Sequence, residues 1–123
     1  MLKQLIYGIL FSLLLLTGTN PLHAEETRKD TPTKAKELSE AEQRKFDYFF
    51  FEGLNLKTAG KFDAAFDAFN HCMAIDSTAS PVLYELSSFY VQMNRPEKAV
   101  EMLQRAVANS TDNFTYRMAL ATI

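Results

Sequence analysis

The sequence predicts an all-α fold, helical hairpins stacked into a short α-solenoid with two full repeats and one further helix over residues 39–123. Three observations predict it. Apolar residues recur three and four positions apart through five stretches, the period of a helix that buries one face. The stretches are separated by short stop signals at Ala59-Gly60, Asp76-Ser77-Thr78 and Asn94. Residues of matching size then return at a fixed separation of 34, and a constant period of that length marks a stacked array of identical units.

The elements follow in chain order. Met1-Leu2-Lys3-Gln4 carries one positive charge and leads into an apolar run of twelve, Leu5 to Leu16. A polar stretch, Thr17 to Pro21, and then Leu22-His23-Ala24 complete the layout of a secretory signal peptide over residues 1–24, with Ala24 the small residue before the cut. A membrane span needs about 20 apolar residues, so no stable anchor is expected after cleavage. There is no Cys at the cut for a lipid. The expected location is outside the cytoplasm, in a bacterial periplasm. Glu25 to Glu37 contains no Val, Ile, Leu or aromatic residue, so residues 25–38 should form a flexible polar leader that cannot offset its ordering entropy.

Ser39-Glu40-Ala41-Glu42 has the residues of a capping box and should start the first helix. Phe46, Phe49, Phe50, Gly53, Leu54 and Leu56 follow at helical spacing until Gly60, which tolerates the left-handed conformation that ends helices. Phe62, Ala65, Phe66, Ala68, Phe69, Cys72, Met73 and Ile75 form a second stretch. Ser80-Pro81 reads as an N-cap followed by a first-turn Pro, ahead of Leu83, Leu86, Tyr90 and Met93. A fourth helix runs from about Pro96 through Ala99, Val100, Leu103, Ala106 and Val107, and a fifth occupies Asp112 to Ile123.

The second pair copies the first. Gly53, Ser87 and Ala121 stand 34 apart, as do Phe49 and Leu83, Leu56 and Tyr90, Ala65 and Ala99, Phe69 and Leu103, and Cys72 and Ala106. On these residues the chain resembles the tetratricopeptide repeats, with units at about 46–79, 80–113 and a partial third at 114–123. The resemblance implies a right-handed solenoid. Small residues at Gly53, Ser87, Ala65, Ala99 and Ala106 let paired helices approach while the large ones fill the space between. Glu52 stands where Leu is usual, Ser77 and Thr111 where Pro is, and Arg117 at the first aromatic position.

Chemistry is scarce in this composition. With 13 Lys+Arg against 15 Asp+Glu, no basic excess exists for a nucleic-acid backbone, so no nucleic acid is expected as a partner. One Cys and two His leave no disulfide framework and no ordinary zinc shell, so no metal and no cofactor are expected. His71 and Cys72 are adjacent in sequence and therefore point about 100° apart on a helix, which denies them a shared task. Cys72 should be a core thiol and His71 a surface helix residue with no partner to set its pKa. Asp63 and Asp67 suit the helix dipole better than acid–base work. No catalytic residue is expected, and the chain should not be an enzyme.

Phe46 to Phe51 holds five aromatic rings in six positions, more than one helix can bury against one neighbour. The resemblance implies that opening helices line a concave groove, at Asp47, Phe50, Leu54 and Lys57, then Tyr84, Ser88 and Val91. The partner-binding residues expected are Phe50, Leu54, Tyr84, Ser88 and Val91, with Phe50 and Tyr84 outside the set of small and large residues that packs the repeat. The basic clamp known in the family for a terminal carboxylate would need Lys and Asn where Phe50 and Leu54 stand. An apolar groove suits a hydrophobic peptide or helix of a protein partner. The expected function is an exported interaction scaffold; the alternative is a non-catalytic N-terminal docking segment of a larger envelope enzyme or outer-membrane assembly factor. The last helix lacks a closing partner, which leaves self-association through it open.

Overall fold

A computed structural model describes residues 36–123; the signal peptide expected over residues 1–24 and the expected leader up to residue 35 lie outside the described residues. Five helices follow one another: α1 (Glu40–Thr58), α2 (Phe62–Ile75), α3 (Ser80–Gln92), α4 (Pro96–Asn109) and α5 (Phe114–Thr122). No strand occurs among the described residues. α1 packs on α2 and α3 on α4 as antiparallel hairpins, α3 rests on α2, and α5 rests on α4. This is the all-α helical repeat that the 34-residue period predicts.

The helix ends repeat as closely as the helices. Ser39 caps α1 with a full capping box, its side chain accepting from the Glu42 amide while the Glu42 carboxylate accepts from the Ser39 amide at 2.9 Å. Lys36 Nζ lies 2.7 Å from the same carboxylate. At the other end Gly60 takes φ +75°, Lys61 N–H donates to Leu56 O at 2.9 Å, and Gly60 N–H donates to Lys57 O at 3.0 Å. That is a Schellman motif, which satisfies carbonyls the helix leaves open. One period later Asn94 does the same with φ +57°, Arg95 N–H donating to Tyr90 O at 2.9 Å and Asn94 N–H to Val91 O at 3.0 Å. Gly and Asn are interchangeable here because both tolerate the left-handed region.

Ser80 departs from expectation. The N-cap of α3 is Ala79 and Ser80 already lies inside the helix, without a side-chain cap. Its hydroxyl is used across the hairpin instead, donating to Ala106 O at 3.1 Å and accepting from Ser110 Oγ at 2.9 Å. A buried hydroxyl with a partner costs little, whereas one without costs roughly 1–3 kcal/mol. The turn before it is held by Asp76, whose carboxylate accepts from the Thr78 amide and hydroxyl.

The core confirms the size pattern. Ala65, Phe69, Cys72, Val82, Leu86 and Phe89 form one buried cluster that joins the two hairpins, and Leu83, Met102, Ala106 and Tyr116 form a second that joins the second hairpin to α5. A Cβ built at Gly53 would stand 2.8–3.0 Å from three ring carbons of Phe69, closer than real side chains come. The glycine is therefore needed for close approach. Rings then relay across the molecule: Phe50 lies edge-on to Phe69 at 6.1 Å, Phe69 faces Phe89 at 5.9 Å, and Phe66 meets both Phe89 and Tyr90 at 5.7 Å. Each such pair adds about 0.5–1.5 kcal/mol beyond the area it buries.

Candidate partner-binding surface

The opening helices α1, α3 and α5 are joined to one another by side chains. Lys57 Nζ meets Glu85 Oε2 at 2.7 Å between α1 and α3, with both side chains largely covered. Tyr84 packs on Tyr116 between α3 and α5 with ring centroids 5.3 Å apart. Because the helices repeat at 34 residues, equivalent positions form rows: Phe50, Tyr84 and Met118 in one, Leu54, Ser88 and Thr122 in the next.

The five residues expected to bind a partner do not share one environment. Phe50 is half-buried, stacked on Phe46 at 6.2 Å and edge-on to the fully buried Phe69. Leu54 packs against the first core cluster and Tyr84 against the second. These three therefore help hold the fold, which for Phe50 and Tyr84 corrects the expectation that they stand apart from the packing set. The reason is ring number: Phe50 and Tyr84 lie on the margin where the opening helix turns from its hairpin partner to solvent, and a large ring reaches both. Ser88 is half-buried with its hydroxyl donating to Glu85 O at 2.7 Å, so it offers a partner little beyond its lone pairs. Val91 is half exposed.

The apolar groups most available on this face are Phe51, 61% exposed, Val91, and Met118, 46% exposed. Two of these are absent from the residues expected. Phe51 belongs to the surplus aromatics but sits one residue outside the row chosen from the resemblance. Met118 follows Tyr84 by one period, so the period alone points to it. On the polar part of the face Lys57 and Glu85 pair with each other, while Asp47 keeps its negative charge and accepts from Gln43 Nε2 at 2.8 Å.

Residues 56–123, more than half of the chain, match the tetratricopeptide repeat family. The chain belongs to that family. No curated protein matches the sequence. Tetratricopeptide repeats in general mediate protein–protein interaction on a non-catalytic scaffold. The match starts at Leu56, near the end of α1, so most of the helix that carries Phe50, Phe51 and Leu54 precedes it. The repeat register nevertheless holds there, since Gly53 meets Phe69 where the family's small residue meets its large one.

Within this tetratricopeptide array the sulfur and imidazole do different work. Cys72 is fully buried, its Sγ lies 3.6 Å from Phe46 O, and burial raises its pKa to about 11. A thiol so placed is a core residue and a poor nucleophile. His71 is exposed, yet it has a partner that the sequence did not reveal: its ring stacks on Phe49 at 4.5 Å and 17°. Among the described residues no three His, Cys, Asp or Glu side chains gather where they could hold a metal, and no helix is long and apolar enough to cross a membrane. A shallow polar hollow lies at the α3–α4 turn, between Asn94, Arg95, Glu97, Lys98 and Glu101, with Lys98 and Glu101 paired at 2.7 Å.

Proposed function

We propose that this chain is an exported tetratricopeptide-repeat scaffold that takes an apolar segment of a protein partner on the face of its opening helices. The observation that carries the reading is the row at one period, Phe50, Tyr84 and Met118, flanked by Phe51 and Val91. Phe50 and Tyr84 supply rings fixed from behind by the core, and Phe51, Met118 and Val91 supply area that water still covers. Binding an apolar helix or strand there removes that area from water at about 25 cal/mol per Å². Leu54 and Ser88 lie in the adjoining row and line the floor. The Lys57–Glu85 pair is balanced, so the part of the face around it suits an uncharged stretch better than an acidic or basic one.

Export rests on Lys3, the apolar run and Ala24, and on nothing in the fold. The mature protein should begin at or near Glu25 and leave cells with the periplasmic fraction. Intact Met1 on protein purified from the envelope would exclude this.

The face is tested by placing a photo-crosslinking amino acid at Phe51 and, separately, at Glu97, which is exposed in the first turn of the closing helix α4. Crosslinks to one defined protein from position 51 and none from position 97 support the reading. Equal labelling from both positions would contradict it.

A further inference from the structure

Asp47 stands one helical turn before Phe50 and Phe51, and side chains three and four apart on a helix are neighbours. It is exposed, its carboxylate accepts from Gln43 alone, and it forms no salt bridge among the described residues. Phe51, on the same side of α1, is 61% exposed. One period after Phe51 comes Glu85 on α3, tied to Lys57 at 2.7 Å. The hydroxyl of Tyr84, the residue before Glu85, has no protein partner among the described residues and is left to water. Across the opening helices, apolar anchors therefore alternate with polar groups. A further opening helix beside α5 would lengthen this strip rather than cover it.

We propose, resting on the opening-helix reading above, that the occupant of the strip is a proline-rich protein segment in the polyproline II conformation. It carries an apolar residue at every third position and one Lys or Arg at the α1 end. The cation follows from charge complementarity. Asp47 is the unpaired charge of this face, and a Lys or Arg beside it also lies within reach of the Phe51 ring, which attracts cations to its face. Over Lys57 and Glu85, which already satisfy each other, the segment stays uncharged.

The backbone conformation follows from the alternation. An α-helix presents an apolar stripe with side chains about 5–6 Å apart, so it would press one onto the Lys57–Glu85 pair and strip its water without offering a partner. Its carbonyls are also spent on its own hydrogen bonds. A strand repeats its face every 6.4–6.8 Å or so, about 3.2–3.4 Å per residue, short of the roughly 8–10 Å between packed helix axes. Polyproline II repeats its face every three residues, about 9.3 Å, and makes no internal hydrogen bonds. Its apolar residues can therefore rest on Phe50, Tyr84 and Met118 in turn, while the carbonyls between them accept from the Tyr84 hydroxyl and from the Lys57 ammonium, which has donors to spare beyond Glu85.

The test uses the full chain and three fluorescein-labelled peptides, read by anisotropy. The first is Arg-Leu-Pro-Pro-Leu-Pro-Pro-Leu-Pro, and the second has Glu in place of its Arg. The third holds the same Arg and three Leu at helical spacing in an Ala-Gln background. The first peptide should bind at least about tenfold more tightly than either of the others. Asp47→Lys should invert the preference between the first two. Asp47 is exposed, so helicity should be kept, which circular dichroism checks. The double variant Phe51→Ser, Met118→Ser should abolish binding of the first peptide. Equal affinity for the Arg and Glu peptides, a helical peptide that binds as tightly as the first, or binding that survives the double variant overturns the proposal. So does the absence of binding by any of the three up to about 1 mM. Crosslinking from position 51 judges the groove separately: a defined crosslink without any preference for the first peptide leaves the groove standing and its polyproline occupant refuted.

Discussion

Gly53 carries more of this fold than its size suggests. Helix propensity alone favours Ala there by about 1 kcal/mol. The added methyl, however, would meet the Phe69 ring at 2.8–3.0 Å, and that ring is fully buried, with no room to swing. Overpacking of this kind costs about 1–3 kcal/mol and outweighs the propensity gain. Gly53→Ala should therefore lower the urea midpoint, and Phe69→Ala should lower it further, by about 3–5 kcal/mol of stability. Cys72 makes a second prediction at this scale. Buried completely, with its thiol pKa pushed up to about 11, it should resist a disulfide reagent at pH 8 in the native protein and react rapidly once urea unfolds the chain. Fast native labelling would mean that α1 lifts from α2. The sizes of these residues were legible in the sequence because the period repeats them. The stack of His71 on Phe49 was not, since it depends on rotamers that no spacing encodes, and neither was the double service of Phe50 and Tyr84 as core margin and surface.

At the scale of the element, the clearest sequence signals were the caps. Ser39 and Glu42 form the capping box that their order predicts, and Gly60 and Asn94 end their helices one period apart. Ser80 misled, because a hydroxyl before Pro has the residue type of a cap and the structure spends it on Ala106 across the hairpin. The first cap should be sensitive to acid. Lys36, then the Ser39 amide and hydroxyl, hold the Glu42 carboxylate at about 2, below its ordinary 4.5. A depressed folded-state pKa means that the stabilisation is complete above 4.5 and is lost as pH falls through about 2. Protection factors of the amides in the first turn of α1, corrected for the intrinsic pH dependence of exchange, should fall across that interval, and Glu42→Gln should remove most of the dependence. Protection factors that are unchanged down to pH 2 would show that the cap contributes nothing in solution. At the far end of α1, Gly60→Ala should destabilise by about 1 kcal/mol through its left-handed backbone, while Asn94→Gly should be nearly neutral.

For the whole molecule, the 34-residue period foretold the order and stacking of the helices, because each hairpin can bury its apolar face only against the next. It left open how exposed each position of a row is. The row Phe50, Tyr84 and Met118 required the third repeat to be read with the same register as the first two, and Phe51 required knowing how far α1 turns past its partner. The account stands or falls on the opening-helix face. Phe51 and Met118 are its exposed apolar groups with the least part in the core, so the double variant Phe51→Ser, Met118→Ser separates binding from folding. The measurement is partner affinity beside thermal midpoint, on the protein that crosslinks from position 51. The account predicts an unchanged midpoint with affinity reduced by well over tenfold, since buried aromatic anchors contribute about 2 kcal/mol or more and 1.4 kcal/mol is tenfold. Unchanged affinity in a folded double variant would contradict it.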